Sequence, residues 1–188
     1  MVSEANGSTF DESTRPRAPR HPDATATPAG LRTASFLLAV HQHLRHELAE
    51  VIGAVGAAVA GDLPISDART GISEMTMLRN YRELGSFCGN YCALVSMHHT
   101  IEDQRMLVEL AALDSTLQPV VDRLSEEHST IHGMLVNVDR ALARLMSDPS
   151  SLAEVESALA VLEAALLSHL RYEEDELIEP IGRLSLGI

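Results

Sequence analysis

Apolar residues recur at spacings of three and four along four separate stretches of the chain, and each stripe also carries histidine or glutamate. The first runs from Leu31 through Leu37, Val40, Leu44, Leu48, Val51 and Val55, and Gly61, Asp62 and Pro64 close it. The second starts near Ser73 and continues to about Leu113 along Leu84, Phe87, Tyr91, Val95, His98, Glu102 and Met106, with Gly85 and Gly89 as points of bending. Capping residues and Pro119 open the third, whose stripe is Val121, Leu124, His128, Ile131, Leu135, Val138, Leu142 and Leu145. Ser147, Asp148 and Pro149 break the chain, and Val155, Leu159, Leu162, Leu166, His169 and Glu173 carry the fourth as far as Pro180. Short links between consecutive helices imply antiparallel neighbours, so the expected fold is all-α, an up-down-up-down four-helix bundle.

Composition agrees with that class. Aromatic residues are 3% of 188 with no Trp, while a sheet would want aromatic and β-branched side chains. The length suits one domain with a single core, expected over 30–188. Residues 1–29 are rich in Ser, Thr, Pro and Asp and nearly devoid of large apolar groups, so a disordered polar tail is expected there, His21 included. In the second half of the first helix, Gly and Ala replace larger groups and would admit a neighbouring backbone. A formal charge of -13 repels phosphate backbones and anionic headgroups, which argues against nucleic acid and membrane as partners. No secretory leader and no membrane-length apolar run is evident, which gives a cytoplasmic expectation. Cys88 and Cys92, four apart on an apolar stretch, read as small buried hydrophobes, and Tyr91 reads as ordinary core.

Phase on the helical wheel, about 100° per residue, sorts inward polar groups from bystanders. His41 lies about 50° from its stripe, whereas His43 and His46 point away. His98 and Glu102 lie near the centre of theirs, with His99 and Asp103 drifting to its edge. His128 is on the third stripe and His132 one turn on. His169 and Glu173 lead the fourth, with Glu174 about 100° further round and held in reserve. Buried imidazoles and carboxylates are costly unless a partner or a metal satisfies them, and four helices repeating the pattern points to a metal site built from His41, His98, Glu102, His128, His132, His169 and Glu173. Imidazoles with carboxylates and no thiolate suit iron, with zinc as the other candidate.

His41, then His98-x-x-x-Glu102, then His128-x-x-x-His132, then His169 with a following carboxylate resembles the hemerythrin-like family, the HHE cation-binding domain, over about residues 31 to 181. The resemblance implies two non-haem iron ions joined by an oxo or hydroxo bridge, with Glu102 and the last carboxylate spanning them. His128, His132 and His169 would serve one ion, His41 and His98 the other. Dioxygen carriers of the family use an Asp five residues after the last His, whereas phase here favours a Glu at four, which other members also use. Two functions follow as expectations. One is binding of dioxygen, nitric oxide or peroxide for sensing, storage or redox protection. The other is a di-iron enzyme turning over peroxide or oxidising a small substrate, with Glu174, Asp103 or His99 handling protons.

Overall fold

The computed structural model describes residues 10–60 and 72–186. Among them the chain is helical, without strands: α1 (Pro28–Ala60), α2 (Ile72–Ile101), a five-residue π-turn (Glu102–Met106), α3 (Leu107–Leu113), α4 (Gln118–Ser147) and α5 (Leu152–Leu184), with single 3-10 turns at Glu12–Thr14, Ser115–Leu117 and Pro149–Ser151. Buried residues along α1 fall at Ala34, Leu37, His41, Leu44, Leu48, Val51 and Val55, a strict alternation of three and four that takes His41 where the sequence stripe takes Val40. Asp114 and Asp148 accept from the backbone N–H of Thr116 and Ser150 at 3.1 Å each, capping the turns that lead into α4 and α5. Gly61, Asp62 and Pro64, expected to end the first helix, and the side chains of Leu84 and Phe87 lie outside the described residues.

The chain divides into two compact units: Met1–Gln42 with His98–Ile131 and Ala164–Ile188, and His43–Met97 with His132–Glu163. In the second unit Leu48, Val138, Leu145, Leu159 and Leu162 are among the fully buried groups, and Arg144 pairs with Glu154 at 3.2 Å. Cys88 and Tyr91 are buried there as ordinary core, and burial pushes the Cys88 thiol up to about 11. The close approach expected at the glycines of α1 is not met, since a Cβ at Gly53 or Gly56 would have nothing within 4 Å.

In the first unit a cluster of Leu107, Leu110, Leu117, Leu124, Leu177 and Ile181, with Leu37 and Tyr172, forms the core. Here the close crossing is at Gly30, where an added Cβ would sit 2.1 Å from the carbonyl oxygen of Gly182. α5 does not stop at Pro180. The missing proline N–H removes one bond of the ladder, yet Thr27 N–H donates to the Gly182 carbonyl at 2.9 Å and Arg183 binds Asp114 at 2.7 Å, so contacts beyond the proline hold the last turn.

The segment from residue 10 to 27, expected to be disordered, lies against α4 and α5. Phe10 and Ala18 are buried, and Arg15, Arg17 and Arg20 reach Glu127 or Glu176. Charge pairing and backbone bonds, rather than an apolar stripe, hold it there, which is why composition pointed the other way.

Candidate metal centre

Six of the seven expected side chains meet inside the first unit. His41 comes from α1, His98 from the end of α2, Glu102 from the π-turn, His128 from α4, and His169 with Glu173 from α5; all are buried. The π-turn widens the helix immediately after the two histidines, as such turns often do at functional sites, and it turns Glu102 and Met106 inward together. The uniform rotation assumed along the sequence from Ser73 to Leu113 therefore fails at this point.

The seventh expected residue, His132, is exposed, belongs to the second unit and joins neither metal-competent group. His99 is buried instead, its ring stacked on His128 at 4.1 Å between centroids and 11° between planes. The sequence held a signal for this. Measured from Val95, which is fully buried, His99 stands about 40° to one side and His98 about 60° to the other, so both lie on the inward face. His132 follows Ile131, which takes the inward position on α4.

Two groups result, each with ligand atoms within 4.8 Å of one another: His99, His128 and His169, and His41, His98, Glu102 and Glu173. The carboxylates touch both. Glu102 Oε1 is 3.1 Å from His98 Nε2 and 3.9 Å from His41 Nε2, while its Oε2 is 3.6 Å from His128 Nε2. Glu173 Oε2 is 3.4 Å from His41 Nε2 and 3.8 Å from His169 Nε2.

Around these stands a shell of carboxylates on the far ring nitrogens. His41 Nδ1 meets Glu174 Oε1 at 2.9 Å, His128 Nδ1 meets Asp103 Oδ1 at 2.8 Å and His169 Nδ1 meets Glu127 Oε2 at 3.1 Å. Burial works to raise Glu127, but hydrogen bonds from His169 and Arg15 overcome it and hold the carboxyl down to about 2. Burial is likewise outweighed at Asp103 by the hydrogen bond from His128. An ionised carboxylate only accepts, so Nδ1 of His128 and of His169 carries a proton, and the Nε2 of each points toward the centre. Glu174, the reserve candidate, thus orients His41, and Glu173 occupies the interior.

The donor set suits a cation. Nε2 of His98, His99, His128 and His169 and both oxygens of Glu102 and Glu173 are buried without a hydrogen-bond partner, an arrangement that polypeptide alone does not stabilise. Burial pushes His98 down to about 3, helped by His41, His128 and His169, and lowers His99 for the same reason. Burial also brings His169 down to about 4 against the opposing Glu127 bond. Glu102 is raised well above the carboxylate range by burial and then by the charge of Glu173, and Glu173 is itself raised by burial. The 3.1 Å contact of His98 with Glu102 is accordingly not an ion pair; it joins a neutral imidazole to an acid that resists ionising. Positive charge placed among these atoms would draw Glu102 and Glu173 back toward the ionised form, while the lowered histidines already offer it uncharged nitrogen. Neutral imidazoles with carboxylates match a first-row transition metal rather than calcium or magnesium.

No curated protein and no solved structure matches the chain. A family model does, covering residues 32–180, which include both groups in full. On that match the chain belongs to the Hemerythrin HHE cation binding domain family.

Proposed function

We propose that the protein is a non-haem di-iron protein that binds dioxygen or a related small ligand, nitric oxide or peroxide, for sensing, storage or redox protection. The observation that carries this reading is the pair of buried glutamates, Glu102 and Glu173, each within reach of imidazoles from both groups. In these positions both glutamates would be shared between two ions, with His41 and His98 available to hold one and His99, His128 and His169 the other. His99 takes the role that the family resemblance gave to His132.

An iron pair, when bound, supplies Lewis-acidic, redox-active positions for a small ligand. The chain's own part is different. Five imidazoles and two carboxylates fall short of saturating two six-coordinate ions, so the protein leaves space for a guest. Asp103, Glu127 and Glu174 fix the rings, and burial of the interior residues keeps bulk water out. The reading takes residues 30–188 as one hemerythrin-like domain, with helices alternating up and down, which the short links at Ser115–Leu117 and Pro149–Ser151 support. No helix among the described residues is long and apolar enough to cross a membrane, and a cytoplasmic location is part of the proposal.

Iron analysis of aerobically purified protein tests this: about two irons per chain with near-ultraviolet ligand-to-iron absorption is expected. A metal-free protein that takes up no ferrous iron would end the reading. A second reading, an enzyme turning over peroxide or oxidising a small substrate, is favoured by Asp103 and Glu174, whose side chains are 38% and 22% exposed while bonded to buried imidazoles. Such groups can pass protons between solvent and the centre. Rapid catalytic loss of added peroxide would select it; stoichiometric reaction alone would reject it.

A further inference from the structure

The stretch from residue 10 to 27 precedes the family match at residue 32, yet it reaches the metal centre through one side chain. The Arg15 side chain is 5% exposed, and its guanidinium makes a two-point bond to Glu127, Nε to Oε1 at 2.8 Å and Nη2 to Oε2 at 2.9 Å. Its remaining nitrogen donates to Ser168 Oγ at 3.0 Å. The guanidinium lies 4.7 Å from the ring centre of Tyr172 and 5.5 Å from that of Phe10, and Tyr172 donates its hydroxyl to the Pro16 carbonyl at 2.8 Å. Glu127 Oε2, the atom that Nη2 holds, is also the acceptor for His169 Nδ1.

We propose that Arg15 is a positioning residue for the centre: by gripping Glu127 it fixes the carboxylate that aims His169, so the segment before α1 sets how firmly the His99, His128 and His169 group retains its metal. The inference rests on the metal reading above. A glutamate has three side-chain torsions, and a planar fork on both of its oxygens removes most of that freedom. Arg123 also donates to Glu127, at 2.9 Å, but only to Oε1, the oxygen that does not face His169. Loss of Arg15 leaves Oε2 tethered by the imidazole alone, and the ring gains the freedom that the guanidinium denied it. A second fastening of the same segment supplies the control. Arg17, Arg20 and the Ala18 N–H all bind Glu176, which faces no ligand imidazole, and the Arg17 side chain is 69% exposed.

The test uses the full chain, wild type and Arg15→Gln, Arg15→Lys and Arg17→Gln. Two quantities are measured: release of loaded iron to excess chelator, and the ring nitrogen resonances of His169 in the metal-free protein. Arg15→Gln is expected to speed release up to about tenfold, the lower end of what losing a ligand's own outer partner costs, since Glu127 itself remains, and to shift His169 away from a single Nδ1–H tautomer. Arg15→Lys, which keeps the charge and loses the fork, should speed release several-fold, and Arg17→Gln should match wild type. Wild-type release from Arg15→Gln, or equal acceleration by Arg17→Gln, overturns the proposal, the latter by reducing the segment to a cover. Should Arg15→Gln fail to fold, unchanged release from Arg15→Lys overturns it. If wild type takes up no iron, the metal reading fails, and the His169 resonances still decide: an unaltered ring signal on Arg15 substitution rejects the positioning role.

Discussion

Because His99 is buried beside His128 and His132 is exposed, His99→Ala should lower bound iron to about half of wild type or less, whereas His132→Ala should leave it unchanged; metal analysis of the two variants decides. The ionisation pattern gives a second expectation. His98 and His169 are lowered to about 3 and about 4 from an ordinary 6.5, so the stability they contribute to the metal-free fold is present above about 6.5 and lost as pH falls toward 4. Glu102 and Glu173 are raised from 4.5, so their contribution is full below about 4.5 and lost as pH rises through their higher folded range. The opposing slopes offset each other between about pH 4.5 and 6.5, so the melting temperature of metal-free protein is expected to be highest across that window and to fall on either side. A steady rise from pH 5 to 8 would contradict protonated interior glutamates. Iron uptake near neutral pH should release protons from these carboxylates rather than from His98 and His169, which are already neutral, and titration in weakly buffered solution would detect them.

Helices explain where sequence periodicity was reliable. On α1, on α4 and on α5 as far as Glu173 the helical ladder keeps residue phase constant, and His41, His128, His169 and Glu173 fall inside. On the second stretch the π-turn at Glu102–Met106 changes the phase, and nothing in the local residue types announces it. Glycines make the same contrast. Gly30→Ala would drive a methyl group into the backbone of α5 at Gly182, so a loss of about 1–3 kcal/mol or more is expected. Gly53→Ala meets open space within α1 and should gain about 0.5–1 kcal/mol. Urea unfolding of both variants measures the difference, and equal effects would mean that the Gly30 crossing is not close.

At the scale of the molecule, all candidate ligands lie in one of the two compact units, Met1–Gln42 with His98–Ile131 and Ala164–Ile188. Iron that binds only the folded state should stabilise it by about 2.7 kcal/mol at a hundredfold excess over Kd. Added protection from amide exchange should concentrate in the helical residues of that unit, with smaller change in His43–Met97 and His132–Glu163. Uniform protection across both would refute a local site. Helical class, four amphipathic stretches and most inward polar groups could be read from the chain alone, because apolar spacing fixes which face of a helix leaves water. Tertiary structure decided the rest. The choice of His99 over His132, the role of Glu174 behind His41, the continuation of α5 past Pro180 and the seating of Arg15 on Glu127 all depend on partners distant in sequence. Periodicity tells which way a side chain faces, and it carries no information about what meets it there.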